Sequence, residues 1–531
     1  MVLLRLGLAF DEERGLQGSD RRTCRGPCFS ITRAFEVDQQ VPLASASTAC
    51  VCLCITVAGK NNTILMNQKL WSRASWLLCT LVVATPDSAL AELPVSEAPA
   101  SSSALFIAPD SLPASSQTPL PETWSLHSQV TNVTQWHRRF KAWYSGTNSL
   151  QPDGRTEETT DVTLYVGLRV WKGAELWLNP EYDQGRGLDD TVGLAGFPSG
   201  EAYKIGSNTP YLRLPRAFLR QTIELGGDTN PVPAMGNQLA GNRTADTLTI
   251  TIGKFGVTDI FDTNSYAHDP RADLLNWSII DVGTFDYAAD AWGFTYGAAA
   301  EWSQGSRTLR GGVFQLSKVP NGKITAIDFS QFMLVAELEQ RYELAGTAGK
   351  VKLLGFLNRG RMAKYQDAID RGLAQGTVPD VAPVRRYASR PGLSINVEHA
   401  FTADIGAFAR AGFNDGSKEA YEFTEINKSV SAGVSLKGKP WNRPDDTLAF
   451  ASVVNVLSRA ARSYFAAGGV GILIGDGRLN YGSERIVEAN YSVRINPHLT
   501  VAVDFQHVVN PAYNRDRGPV SIYGFRAHAD F

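Results

Sequence analysis

Cysteine is missing from most of this chain. All six cysteines lie between Cys24 and Cys79, and none occurs in the remaining residues, so a cysteine-based site could exist only near the N-terminus. Structural zinc sites use a second matching cysteine pair or nearby histidines, and the cysteines between Cys24 and Cys54 have neither. We therefore expect no metal site and no cofactor.

Long apolar runs and an excess of one charge are also missing. No apolar stretch approaches the ~20 residues that a membrane-spanning helix needs. The chain is therefore either soluble or crosses lipid as a closed barrel of strands. The formal net charge is only -2, which gives no basic face of the kind that nucleic-acid binders carry. Glycine and aromatic residues are plentiful, at 48 glycines and 10% aromatics, and they favour one large sheet.

A secretory signal peptide is indicated well inside the chain. Met66 opens it, Lys69 and Arg73 supply positive charge, residues 74–84 are largely apolar, and a small-x-small cleavage site ends at Ala91. A core helix is the alternative. The sequence thus predicts an unstructured, non-native extension over 1–65, a signal peptide over 66–91, a disordered Pro/Ala/Ser-rich tether over 92–122 and a barrel over 123–531.

Strict alternation of apolar and polar residues predicts the strands of that barrel. The last strand places five apolar side chains on one face, Tyr523, Phe525, Ala527, Ala529 and Phe531. Its other face carries Ile522, Gly524, Arg526, His528 and Asp530. Residues 485–495 and 499–509 follow the same rule around a short turn at 496–498, as do 162–171 and 174–183 around Lys172-Gly173. We predict an all-β transmembrane antiparallel barrel of roughly 16 to 18 strands, with short periplasmic turns and long extracellular loops.

From about Trp124 onward the chain resembles the carbohydrate-selective porin family typified by OprB. The matching segments are AELWLNPE at 174–181, GLAGFPSGEAYK at 193–204, RAFLRQT at 216–222, IGKF at 252–255, DIFDTN at 259–264, FARAGFNDG at 408–416 and GGVGILIGDG at 468–477. The resemblance implies a sixteen-stranded outer-membrane barrel through which sugars diffuse into the periplasm. It implies neither an enzyme nor an energy source.

Candidate pore-lining residues follow from the polar faces of these strands. A sugar offers flat C–H faces for aromatic stacking and hydroxyls for paired donors and acceptors. One strand face presents both, through Trp177, Glu175, Asn179 and Glu181. Trp177 could instead belong to an interfacial aromatic girdle. Arg220 and Glu224 would line the adjacent wall, or form a wall salt bridge without a ligand role.

The stretch 185–215 is too long and polar for an ordinary turn, and we expect it to fold into the lumen as a constriction. Its candidates are Tyr203, Lys204, Asn208 and Arg213, unless the stretch is a loop standing in water. Weaker candidates on the far wall are Arg410, Asn414 and Glu425.

Four other functions remain open from the sequence: a general unselective porin, an outer-membrane barrel enzyme, a TonB-dependent transporter and a soluble β-sandwich lectin. The enzyme would need a Gly-x-Ser-x-Gly elbow or a Ser/His pair on one strand face, and the sequence shows neither. Residues 92–122 are too short for a transporter's plug domain. Expected partners are sugars, outer-membrane lipid and the barrel-assembly machinery, which would read the strand ending at Phe531. The sequence leaves open whether the barrel is a monomer or a homo-oligomer.

Overall fold

The computed structural model describes residues 121–202 and 206–531. The predicted extension, signal peptide, cleavage site at Ala91 and nearly all of the tether lie outside these residues, as do Tyr203 and Lys204. The described residues form sixteen strands. The first eight are β1 (Trp124–His137), β2 (Arg155–Trp171), β3 (Ala174–Arg186), β4 (Gly206–Val232), β5 (Gly241–Phe255), β6 (Thr295–Gln304), β7 (Arg307–Gln315) and β8 (Phe332–Leu344). The last eight are β9 (Thr347–Met362), β10 (Arg386–Ala400), β11 (Ile405–Asn414), β12 (Lys428–Gly438), β13 (Arg443–Val456), β14 (Glu484–Asn496), β15 (Leu499–Val509) and β16 (Val520–Asp530).

These strands close into a single antiparallel barrel in which each strand pairs with its neighbours along the chain. The predicted fold class is therefore confirmed, and the strand number is the lower end of the predicted range. Connections at one end are short, such as Lys172-Gly173 between β2 and β3, whereas those at the other end are long, such as 256–294 and 457–483. In outer-membrane barrels the short turns lie on the periplasmic side and the long loops on the extracellular side.

The predicted alternation in the last strand is present. Ile522 and Arg526 are buried inside the barrel, whereas Phe525 points outward and is 40% exposed. Near the extracellular end, the outward Trp136 of β1 stacks on Tyr523 of β16, with ring centroids 5.7 Å apart. Aromatic pairs at this level are typical of the girdle at a membrane interface. The wall thus turns alternate side chains to the hydrocarbon and to the interior of the barrel.

Aromatic rings on the inner face lie over glycines of neighbouring strands. The ring of Trp177 in β3 covers Gly167 in β2, where an added Cβ would lie 2.4 Å from the ring. Phe314 in β7 covers Gly297 in β6 in the same way, at 2.2 Å. Because glycine has no side chain, a bulky ring can lie flat against the opposite strand. These pairs fill part of the interior with apolar groups.

In the described parts of the long loops lie three α-helices: α1 (Trp277–Ile280), α2 (Tyr365–Gln375) and α3 (Arg459–Ala466). Tyr365 of α2 packs on Tyr464 of α3, with ring centroids 4.8 Å apart. Across 121–202 and 206–531, no helix combines the length and the apolar character required to span a membrane.

The barrel closes at a seam between β1 and β16. Ser128 and Phe531 exchange two backbone hydrogen bonds, of 2.9 and 2.8 Å. The Thr131 hydroxyl lies 3.0 Å from the Nδ1 atom of His528, which is 397 positions away in the chain. The final residue therefore takes part in the sheet that closes the barrel.

Candidate functional site

A long segment between β5 and β6, residues 256–294, runs through the barrel interior, and we call it the lumenal loop. Arg410 of β11 donates to the carbonyl oxygens of Ile279 and Ala267, both at 2.7 Å, and to that of Asp262 at 3.2 Å. On another side, Glu488 of β14 accepts from the Leu275 amide at 2.5 Å. An irregular segment must satisfy its backbone groups, and charged side chains of the wall do so here.

Arg526 of β16 holds a further part of the lumenal loop. Its guanidinium donates to the carbonyl oxygens of Pro270 and Asp273, both at 2.7 Å, and to that of Ala272 at 2.9 Å. Strands on several sides of the barrel therefore fix this loop across the lumen. The sequence prediction missed it, because the stretch shows no regular apolar–polar alternation and its position depends on contacts with distant strands.

The loop between β3 and β4 also folds inward over its described part. Glu484 of β14 accepts from the backbone amides of Ala195 at 3.1 Å and Gly196 at 2.7 Å. The ring of Phe197 stacks on Trp277 of the lumenal loop, with centroids 4.9 Å apart. The predicted loop boundaries of 185–215 were wrong, because β3 continues to Arg186 and β4 begins at Gly206.

Two predicted loop residues consequently lie on strand β4. Asn208 is exposed at the extracellular end of that strand. Arg213 points into the barrel, where its guanidinium lies between the Glu181 and Asp183 carboxylates of β3. The closest atoms of Arg213 and Asp183 are 2.5 Å apart.

A second arginine, Arg271 of the lumenal loop, completes a group of charges that we call the constriction cluster. Its guanidinium lies 3.3 Å from Asp161, 3.6 Å from Glu181 and 2.8 Å from Glu201. The cluster comprises Asp161, Glu181, Asp183, Glu201, Arg213 and Arg271. The side chains of Arg213 and Arg271 remain 12% and 13% exposed, whereas those of the three strand carboxylates are essentially buried.

Four members of the constriction cluster were not predicted: Asp161, Asp183, Glu201 and Arg271. Strand alternation could have identified Asp161 and Asp183, since they lie on the inward faces of β2 and β3 and face each other across the ladder. Nothing local marks Arg271, because its position depends on how the lumenal loop crosses the barrel.

Trp177 occupies neither of its two predicted environments. It points inward and is completely buried, so it is neither a girdle residue nor a ring open to a passing solute. Its indole N–H donates to Glu175 at 3.1 Å. Glu175 lies 3.6 Å from Arg220, which also donates to the carbonyl of Asn237 at 2.7 Å. Trp177, Glu175 and Arg220 thus pack together inside the barrel near its periplasmic end.

Arg220 and Glu224 both lie on the inward face of β4, because its pairing with β5 is regular from Ala217 to Glu224, but only Arg220 is buried. Glu224 is exposed near the periplasmic end of β4, where its nearest charge is Lys172 at 3.8 Å. A bulge after Glu224 shifts the register of β4 against β5. Between the two groups of charges lies Asn179, a fully buried residue whose amide has no protein partner among the described residues.

The far-wall candidates hold loops in place. Asn414 donates to the carbonyls of Thr284 at 2.9 Å and Ile426 at 2.8 Å, and so connects the lumenal loop to the segment 415–427. Glu425 accepts from the Ile472 amide at 3.0 Å. Arg410 and Glu425 are buried and Asn414 is half-buried, so these residues mainly fix the interior. Within the described ranges, no group of three or more His, Cys, Asp or Glu side chains is arranged to hold a metal ion.

Stability should depend on pH through Glu425, which lies in an extracellular loop. Burial raises the pKa of Glu425 to about 7 from an ordinary value of 4.5. Folding therefore takes up a proton between these values, and stability falls as pH rises from about 4.5 through about 7. Glu425→Gln keeps the acceptor for Ile472, so we expect it to stabilise the barrel by about 3 kcal/mol at pH 8 and negligibly at pH 4. Thermal unfolding in detergent at both pH values measures this.

A control for that measurement is Asp415→Asn in the same loop. Its hydrogen bonds with Lys418 and Ser417 outweigh desolvation and lower the pKa of Asp415, so its stabilising effect is present at pH 8 and is lost on acidification. The control should therefore weaken the barrel at pH 8. Equal effects of Glu425→Gln at pH 4 and pH 8 would contradict the assignment.

Comparisons with known proteins agree with this architecture. The family model for the carbohydrate-selective porin, OprB family, matches residues 147–531. The high-pH structure of Pseudomonas putida OprB aligns with a TM-score of 0.58 and 14% identity, over 77% of this chain and 94% of that chain. The outer membrane channel DcaP of Acinetobacter baumannii aligns with a TM-score of 0.44 and 11% identity, over 77% and 97%. No curated protein sequence matches the chain.

The two structural likenesses have low sequence identity, and the first supports the fold alone. The family match covers most of the chain and includes nearly all of the sheet. That family consists of channels and is not a family of enzymes. The chain therefore belongs to the carbohydrate-selective porin family, OprB, and it lets sugars pass passively through the outer membrane.

Proposed function

We propose that monosaccharides and other small sugars are selected at the constriction cluster on their way to the periplasm. One observation carries the proposal: two guanidinium groups, of Arg213 and Arg271, are partly exposed inside the barrel and are flanked by carboxylates. A guanidinium offers donors in a fixed fork, and a carboxylate offers paired acceptors. Adjacent hydroxyls on a sugar match both.

The mixture of both charge signs in the cluster suits a neutral solute. Each arginine is paired with at least two carboxylates, so an anion meets no unpaired guanidinium. Aromatic stacking is a minor contribution, because Trp177 is buried and the Phe294 ring is occupied by Arg213 and Arg216 at 5.5 and 4.8 Å. In this proposal, hydrogen bonds select the sugar, instead of the aromatic stacking on Trp177 that the sequence suggested.

The test uses Arg213→Lys and Arg271→Lys in planar bilayers with titrated glucose. Lysine keeps the charge but loses the fork, so we expect unchanged ion selectivity with glucose block weakened about tenfold. The control is Arg485→Lys, an exposed outward position on β14. Unchanged glucose block in both cluster variants would refute the proposed role of the arginines.

A general unselective porin is the nearest alternative function. Liposome swelling with glucose, a disaccharide and an amino acid of similar size separates the two. Selection predicts faster swelling with glucose than with the amino acid. Equal rates across the set would favour the unselective porin.

We further infer how the barrel reaches the membrane. The segment 66–91 would direct export, with cleavage after Ala91, and the strand ending at Phe531 would be read by the barrel-assembly machinery. Alternation up to the final aromatic residue supports the second step. Mass spectrometry of the N-terminus of the membrane-inserted protein tests the cleavage. Self-association into a homo-oligomer is tested by its mass in detergent.

A further inference from the structure

A cleft of about 350 Å³ lies at the extracellular end of the barrel, apart from the constriction cluster. It is formed by the loop after β1, the start of β2 and the end of β3 with the loop that follows. The residues used below are Gln151, Arg155, Glu157, Arg186, Asp189 and Asp190. We propose that this mouth site captures neutral sugars before they enter the lumen. The inference rests on the proposed function and adds a separate entry step.

The backbone of the mouth site has an unusual conformation. Asp189, Asp190 and Thr191 have φ values of 49°, 55° and 66°, so three consecutive residues other than glycine are left-handed. Such residues are strained, and the conformation persists only where neighbouring contacts impose it. Here the Asp189 carboxylate accepts a hydrogen bond from the backbone N–H of Gln151 at 2.7 Å and lies 3.1 Å from Arg155. These contacts fix the direction in which Asp190 points.

Two ion pairs in the cleft have different exposure. The Asp189 side chain is 6% exposed and serves as the buried anchor for Arg155. Asp190 and Arg186, by contrast, pair with each other while 60% and 40% of their side chains stay exposed. The cleft therefore offers a solvent-facing carboxylate beside a solvent-facing guanidinium.

The chemistry of the cleft selects its ligand class. Two arginines face three carboxylates, those of Glu157, Asp189 and Asp190, so no strong field attracts an anion. Among the described residues, those that line the cleft are all non-aromatic, so they offer hydrogen bonds to a ligand. A ligand with adjacent hydroxyls can donate to Asp190 and accept from Arg186 at once. Such binding is weak and rapidly reversible, as capture at a channel entrance requires.

The experiment is single-channel recording of the whole protein with glucose added to one side at a time. Arg186→Gln combined with Asp190→Asn removes the exposed pair and leaves Asp189 with its anchors. We expect the association rate of glucose from the extracellular side to fall about fivefold, as expected for losing hydrogen bonds worth about 1 kcal/mol. Association from the periplasmic side should be unchanged.

The matched control is Arg139→Gln combined with Asp153→Asn, another exposed arginine–aspartate pair on the loop after β1 that does not line the cleft. It should leave both association rates unchanged. If the mouth-site variant matches wild type, or loses association equally from both sides, the mouth site is refuted while glucose block still supports the proposed function. If glucose does not block the wild-type channel from either side, the proposed function fails, and the mouth site fails with it.

Discussion

A barrel carrying both Arg410→Leu and Arg526→Leu is expected to conduct ions severalfold better than wild type and to admit larger sugars. Each arginine donates to three backbone carbonyls of the lumenal loop. Arg410 also lies 3.4 Å from Asp262, which its loss would leave as a buried charge without this partner. Removing one partner of such a buried pair costs about 3–5 kcal/mol. We therefore expect the lumenal loop to leave the lumen, because its freed carbonyl groups can then form hydrogen bonds with water.

Single-channel conductance and liposome swelling with a trisaccharide measure this change. Arg485→Leu is the control, since Arg485 is exposed on the outer side of β14 and its loss leaves the lumen intact. Strand content should remain that of wild type in all variants, because the wall keeps its hydrogen bonds. A folded double variant with wild-type conductance would show that the remaining contacts, such as Glu488 with Leu275, suffice to hold the loop.

Gly167→Val is expected to destabilise the barrel strongly, and Trp177→Ala should relieve part of that effect. A side chain at Gly167 would lie 2.4 Å from the Trp177 ring, which cannot move because it is completely buried. Overpacking of this kind costs about 1–3 kcal/mol, and truncating a buried tryptophan costs about 3–5 kcal/mol. The double variant should cost less than the sum of the two single variants.

Thermal or urea unfolding of the four proteins in detergent gives the coupling energy. Gly311→Val is the control, because a side chain added there meets open space. Additive effects of Gly167→Val and Trp177→Ala would mean that the ring and the glycine do not constrain each other. A weakened glucose block in Trp177→Ala alone should then be interpreted through stability, since a buried ring does not meet the solute.

The wall could be predicted from sequence because alternation is a local property. Phe525 and Arg526 are adjacent in β16; the apolar Phe525 points outward to the membrane, and the charged Arg526 points into the barrel. The turn at Lys172-Gly173 could also be predicted, because the conformation of a short turn is determined by its own residues. Glu181 and Arg213 were predicted as pore residues on similar grounds, and they lie in the constriction cluster.

The interior could not be predicted, since it depends on contacts between distant segments. Arg410 and Asn414 look like pore-lining residues on their strand, but the lumenal loop covers them. Arg220 and Glu224 share the inward face of β4, but Arg220 is buried by Glu175 and the Asn237 carbonyl, whereas Glu224 lies exposed beside Lys172. Burial of Trp177 follows from Gly167, whose role becomes visible only once β2 and β3 are paired.

The seam between β1 and β16 has a kinetic consequence. The paired residues of β1 and β16, such as Thr131 and His528, are 397 positions apart in the chain. Pairing these two strands closes the longest loop of the barrel, and we expect its entropic cost to fall on the last step of folding. Until then the nascent sheet is a ribbon with two unsatisfied edges, each able to recruit a strand from another molecule. The yield of folded protein therefore depends on whether β1 pairs with β16 faster than the open edges aggregate.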